Sequence, residues 1–157
     1  MPRTPYVGGN WKMNTDRTTG PALAREVAAS AKANPGCEVA VFVPFPYLSA
    51  VGEAIGGLGM LKDCGVSAVL TGHSERRHVL GETDELINRK TLAVLEAGLT
   101  CVLCIGELLE QREAGQTDAV NERQLRAGLA GVSKAQMGKI VVAYEPVWAI
   151  GTGKVAT

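Results

Sequence analysis

Near-continuous apolar runs occupy Glu38 to Val43, Val66 to Leu70, Thr100 to Ile105 and Ile140 to Ala143, with a shorter one at Tyr6 to Gly9. Runs without strict alternation suit strands covered on both faces, as in a parallel sheet. Helical patterns lie between them. Pro21 to Ala33 is rich in alanine and carries Arg25 and Glu26; Thr83 to Ala97 opens on an N-cap threonine with Glu85 in its first turn and closes at Gly98. Thr117 to Leu129 behaves similarly, with Gly131 just beyond. Strand, helix and strand in repetition predict right-handed βαβ units.

The rhythm breaks once. Pro46 to Ile55 reads as a short helix, but Gly56-Gly57-Leu58-Gly59 leads into Met60 to Cys64, barely one turn before Gly65, where the alternation predicts a whole βα unit. Thr157 would cap a helix that does not follow. The count is five strands, about three short of a closed eight-stranded barrel of roughly 250 residues.

At 157 residues the chain suits one domain with one sizeable core. Sixteen acids balance sixteen lysines and arginines, so no global field advertises nucleic acid or an anionic membrane. The N-terminus lacks the apolar stretch of a signal peptide, and no run approaches the roughly 18 apolar residues of a membrane span; a cytoplasmic protein is the default expectation. Four cysteines, Cys37, Cys64, Cys101 and Cys104, include one C-x-x-C pair. That pair falls in a predicted strand, where positions three apart face opposite ways, so small core residues are expected rather than a metal or a redox pair.

Three segments at strand ends carry chemistry. Gly8-Gly9-Asn10-Trp11-Lys12-Met13-Asn14 sets an amide and a cation past the first strand, where a lysine either stabilises an anion or is simply solvated. Thr71-Gly72-His73-Ser74-Glu75-Arg76-Arg77 departs from the G-x-S-x-G elbow of serine hydrolases at Arg76. His73 at a helix N-terminus feels the positive dipole end, which favours a neutral imidazole donor; a structural histidine is the alternative. His73 and His78 are poorly spaced for a metal, and none is expected.

The third segment, Ala143 to Lys154, delivers the carboxylate Glu145 from a strand, then a proline and a glycine pair. Gly151-Thr152-Gly153-Lys154 fails as a phosphate loop because Val155 stands where Ser or Thr is needed. Lid flexibility is the better reading, with amides able to hold an anion on closure. Lys12, His73 and Glu145 on one rim suit proton abstraction beside a carbonyl, with no cofactor.

Gly9 to Asn14, Gly72 to Arg77, Cys104-Ile105-Gly106-Glu107 and Ala143 to Lys154, in that order, resemble the triosephosphate isomerase family. That family is itself the standing illustration of a glutamate base beside a neutral histidine. The resemblance implies an α/β fold, an incomplete TIM (β/α)8 barrel with about five parallel strands in a single domain over residues 1–157. It implies interconversion of dihydroxyacetone phosphate and D-glyceraldehyde 3-phosphate through an enediolate, a step of glycolysis and gluconeogenesis.

Carried over by motif, Glu145 resembles the base, His73 the electrophile and Lys12 the oxyanion-stabilising cation. Asn10 and Lys12 resemble substrate-binding groups, and Gly151 resembles the lid glycine whose N–H holds the phosphate. Glu75, Cys104 and Glu107 resemble groups around the pocket. The lid is expected over Pro146, Val147, Trp148, Ala149, Ile150, Gly151, Thr152, Gly153 and Lys154.

The family also implies a homodimer, yet the third strand and its dimer-contact loop are replaced by the Gly56 to Gly59 junction. Strands seven and eight, with their phosphate loops, would follow Thr157. The chain is therefore expected to be internally shortened near 56–59 and truncated after 157, or else to be part of a longer enzyme. Two other functional classes stand beside the isomerase: a catalytically impaired family fragment acting as a folding or association unit, and a module that merely binds phosphorylated ligands.

Overall fold

The strand Thr100–Ile105 is the most deeply buried among the described residues, and its alternation organises the packing around it. Leu103 and Ile105 meet Ile87, Leu125 and Leu129, while Cys101, on the same face, packs with Leu95, Ile140 and Val132. The coordinates, a computed structural model, describe residues 4–55 and 66–155. The expected junction at Gly56 to Gly59, the stub Met60 to Cys64 and the cap Thr157 lie outside the described residues.

Among the described residues the strands are β1 (Tyr6–Asn10), β2 (Glu38–Phe42), β3 (Ala68–Thr71), β4 (Thr100–Ile105) and β5 (Ile140–Tyr144). The helices are α1 (Thr19–Ala33), α2 (Leu48–Ile55), α3 (Ser74–His78), α4 (Asp84–Glu96), α5 (Leu109–Glu113) and α6 (Thr117–Gly128). The five strands fall where the apolar runs predict them. They divide between two compact units, residues 1–67 and 68–157.

In the first unit β1 and β2 pair in parallel, Tyr6 opposite Glu38 and Asn10 opposite Phe42. Helix α1, in which Ala24 is buried, packs against the short α2, where Val51 is buried. It begins two residues earlier than predicted. The Asp16 carboxylate accepts from Thr18 N, Thr19 N and Thr19 Oγ1 at 2.8, 2.7 and 2.8 Å, satisfying donors that an unpaired helix start would leave open.

In the second unit the parallel order is β3-β4-β5, with Thr71 opposite Leu103 and Ile105 opposite Tyr144. Helices α4 and α6 cover β4. Ile87, Thr91 and Leu95 recur every four residues on one face of α4, which opens on Thr83 as predicted, its hydroxyl accepting from Leu86 N at 3.3 Å. Gly128 lets α6 lie close to the strand, since a Cβ there would meet Leu103 Cδ2 at 2.8 Å. Each fully buried Leu or Ile contributes about 1.5–3 kcal/mol.

Burial on both faces holds for β4 and not for the other strands. Val7 of β1 and Val142 and Tyr144 of β5 stay exposed, each at about half its surface or slightly more or less (55%, 46% and 47%). Their apolar runs therefore predict the strands correctly but overstate the covering.

Candidate active site

The strand β3 ends at Thr71 because Gly72 takes φ +71°, and a side chain there would strike Cys104 O at 2.8 Å. Arg77 fixes the turn. Its Nε donates to Gly72 O at 2.7 Å, Nη2 to Cys104 O at 3.2 Å and Nη1 to Asp84 Oδ1 at 2.6 Å, tying the ends of β3 and β4 together. The turn delivers His73 as the N-cap of α3, and its Nδ1 accepts from Glu75 N at 3.3 Å. An accepting Nδ1 leaves the proton of a neutral ring on Nε2.

That Nε2 lies 2.8 Å from Oε1 of Glu145. Ser74 supplies two more donors, N–H to Oε2 and Oγ to Oε1, both at 2.9 Å. Burial pushes the Glu145 carboxyl up, but the His73 bond and then the two Ser74 bonds outweigh it, holding the group below its ordinary value. The carboxylate is ionised and held at both oxygens. Sequence reasoning missed Ser74, since it was read only as part of a failed hydrolase elbow.

Glu145 reaches this position from β5, whose end is tied to β4. Its N–H donates to Ile105 O at 2.7 Å and the Val147 N–H to Glu107 O at 3.2 Å. Glu107, fully buried, takes hydrogen bonds from Tyr144 Oη at 2.9 and 3.0 Å and from Trp148 Nε1 at 2.9 Å, so it meets the root of the expected lid. Thr117 and Asn121 also donate to it, and Arg112 lies 3.5 Å away with its guanidinium 4.3 Å over the Trp148 ring. Burial would raise the Glu107 carboxyl, yet its own backbone N–H, Trp148 and Tyr144 bring it below the usual range.

The segment expected to be a lid leaves Pro146 through a 3-10 turn over Val147–Ala149. Gly151 and Gly153 take φ of +69° and +73° in open space, conformations natural to glycine. The Thr152 hydroxyl donates to the Trp148 and Ala149 carbonyls at 3.2 and 3.1 Å.

Cys104 is buried, and burial first, then the charge of Glu145, pushes its thiol up to about 12. Cys101 is buried too, within 3.2 Å of Thr71 Oγ1. Glu75 is largely exposed, its carboxylate 4.0 Å from His73 Nδ1. Among the described residues no cluster of three or more His, Cys, Asp and Glu could hold a metal, and no helix is long and apolar enough to cross a membrane.

In the other unit, Asn10 and Lys12 form one turn after β1. Asn10 Oδ1 accepts from Lys12 N at 3.0 Å, and Lys12 is the one described non-glycine residue at positive φ, +49°. A left-handed lysine costs on the order of 1–3 kcal/mol, the kind of strain that gathers at functional sites.

Parallel βα units with an imidazole and a carboxylate meeting at their C-terminal strand ends are the arrangement of (β/α)-barrel enzymes. A family model described as triosephosphate isomerase matches residues 5–59 and 57–157. A triosephosphate isomerase from Herminiimonas arsenicoxydans is 46% identical over 178 aligned residues, covering 99% of this chain and 71% of the relative. One from Carboxydothermus hydrogenoformans gives the same identity and coverage, and one from Nitratidesulfovibrio vulgaris is 48% identical over 96% of this chain and 70% of its own length. The chain belongs to the triosephosphate isomerase family, and its five described strands accord with an incomplete (β/α)8 barrel.

Proposed function

We propose that this chain interconverts dihydroxyacetone phosphate and D-glyceraldehyde 3-phosphate by proton transfer through an enediolate, in glycolysis and gluconeogenesis. The observation that carries the reading is the His73–Glu145 contact at 2.8 Å, with His73 Nδ1 already engaged as an acceptor. A donor and a carboxylate side by side are what abstraction next to a carbonyl requires.

Glu145 takes a proton from the carbon beside the substrate carbonyl. The electron pair moves onto the carbonyl oxygen, where His73 Nε2–H donates and the Lys12 ammonium offsets the developing charge. Glu145 then returns the proton to the neighbouring carbon, while His73 Nε2 gives its proton to the former carbonyl oxygen and takes one from the adjacent hydroxyl, whose oxygen becomes the new carbonyl, completing the isomerisation. Held by His73 and Ser74, the carboxylate is a weak base; with His73 turned to the substrate oxygen and the Ser74 donors released, burial in a dry site strengthens it.

Asn10 and Lys12 bind substrate, and the Gly151 N–H meets the phosphate as Pro146 to Lys154 closes. Glu107 and Cys104 support the pocket from behind, and Glu75 lies beside His73. The family's homodimer and a cytoplasmic location belong to the same reading, and sedimentation equilibrium tests the first.

Isomerase turnover by the purified chain is the deciding measurement. Glu145→Asp, which withdraws the base by one methylene, should lower kcat by about 100-fold. His73→Gln should lower it by roughly 100-fold or more. Turnover undiminished in both variants, or absent from the unmodified chain, would overturn the proposal.

A further inference from the structure

Gly106 lies between the two residues that hold the Glu145 segment, and its own backbone groups point elsewhere. Ile105 O accepts from Glu145 N and Glu107 O from Val147 N, so β4 and the chain after β5 continue as paired backbone on one side. On the other side β3 has stopped at Thr71, opposite Leu103, and the chain has turned off to present His73 and Ser74. A strand would normally satisfy the Gly106 N–H and C=O there. The Gln124 side chain does so instead: its Oε1 accepts from Gly106 N at 2.9 Å and its Nε2 donates to Gly106 O at 3.1 Å.

Gln124 is 4% exposed, on the α6 face that packs toward β4. An amide is the one neutral side-chain group that matches a peptide's donor and acceptor together. The consequence reaches the base, because Gly106 is packed against the Glu145 backbone so closely that a Cβ would lie 1.8 Å from Glu145 O.

We infer that Gln124 is a positioning residue: by standing in for the strand that ends at Thr71, it fixes the Gly106 peptide and, through Ile105 and Glu107, sets the placement of Glu145 and the root of the lid. The inference rests on the isomerase reading for its meaning but not for its test. Amide hydrogen exchange by NMR on the full chain reads it directly, alongside turnover.

Gln124→Met keeps the length and apolar stem while removing both bonds. Exchange at the Glu145 and Val147 amides should rise at least tenfold relative to the rest of β5, and kcat should fall about tenfold or more with KM within twofold. Gln124→Asn, one methylene shorter, should show the same exchange pattern in weaker form. Asn88→Leu is the control. It removes another side-chain clamp on backbone carbonyls, those of Gly128 and Ala130, and should leave exchange at Glu145 and Val147 unchanged.

Exchange raised no further by the Gln124 variants than by Asn88→Leu would overturn the inference whatever the activity. So would both Gln124 variants failing to fold where Asn88→Leu folds, since Gln124 would then hold the unit as a whole. Selective exchange in a chain without turnover would sustain the positioning role while overturning the isomerase reading.

Discussion

Gly106 and Glu145 meet backbone to backbone, with no room for a single carbon between them. Two hydrogen bonds flank the contact, Glu145 N to Ile105 O at 2.7 Å and Val147 N to Glu107 O at 3.2 Å, so neither segment can retreat without breaking one. Gly106→Ala should therefore cost about 3 kcal/mol or more, the upper range for overpacking where the obstacle is backbone. Gly138, whose added Cβ would meet nothing within 4 Å, supplies the contrast. Urea unfolding should place Gly138→Ala within about 0.5 kcal/mol of the unmodified chain. Gly106→Ala falling in that same range would contradict the close packing.

Much of this architecture was legible because it is local. The strand runs and the Thr83 and Gly98 boundaries of α4 follow from apolar continuity and capping, which depend on neighbours in sequence. The family motifs marked His73 and Glu145 as partners, and the structure brings them together. What escaped depends on distant contacts or on lengths too short to show a period. Helix α5 has five residues, less than two turns, and was not predicted. Ser74 and Gln124 acquire their partners across the fold, from Glu145 and Gly106, and nothing in their immediate sequence announces it. The start of α1 was hidden for a third reason: the Asp16 carboxylate outweighs the pull of Pro21 as a first-turn marker.

Ser74→Ala removes one donor to Glu145 and leaves the backbone N–H. The folded carboxyl lies below its ordinary value, so its bonds contribute stability above the ordinary value and lose it as pH falls through the lower folded one. With the hydroxyl gone the folded value moves upward. The variant should be less stable at pH 7 by roughly 1.5 kcal/mol, a charge-assisted bond's worth. The difference should close as the pH falls through the lowered folded value. Urea unfolding across pH 3 to 7 checks it, and a gap that widened in acid would reverse the assignment.

Trp148 and Tyr144 both donate to a carboxylate that has no exposure to water. Removing either leaves a buried charge short of a partner, so Trp148→Phe and Tyr144→Phe should each cost about 1–3 kcal/mol. Phenylalanine keeps an aromatic face beneath Arg112, which confines the Trp148 loss mainly to the indole N–H. The Glu107 carboxyl should titrate higher in both variants, because two of the bonds that lower it come from these residues. Carbon-detected NMR titration reads that shift, and a value unchanged in both would show that Asn121, Thr117 and the backbone suffice.

Burial also sets the reactivity of the thiols. Cys104 carries a value of about 12 because the folded chain keeps water from a charge that would sit near Glu145. At pH 8 its thiolate fraction is on the order of one in ten thousand, and the thiolate is the species that alkylates. Cys101 is raised by burial as well, whereas Cys37, at the entry to β2, is only partly covered. Brief iodoacetamide treatment of the native chain should therefore modify Cys37 and spare Cys101 and Cys104, with all three modified in strong urea. Mass spectrometry of the digested chain distinguishes the sites. Native labelling of Cys104 as fast as Cys37 would mean that the ends of β4 and β5 open together, exposing Glu145 to water and lifting the constraint on which its chemistry depends.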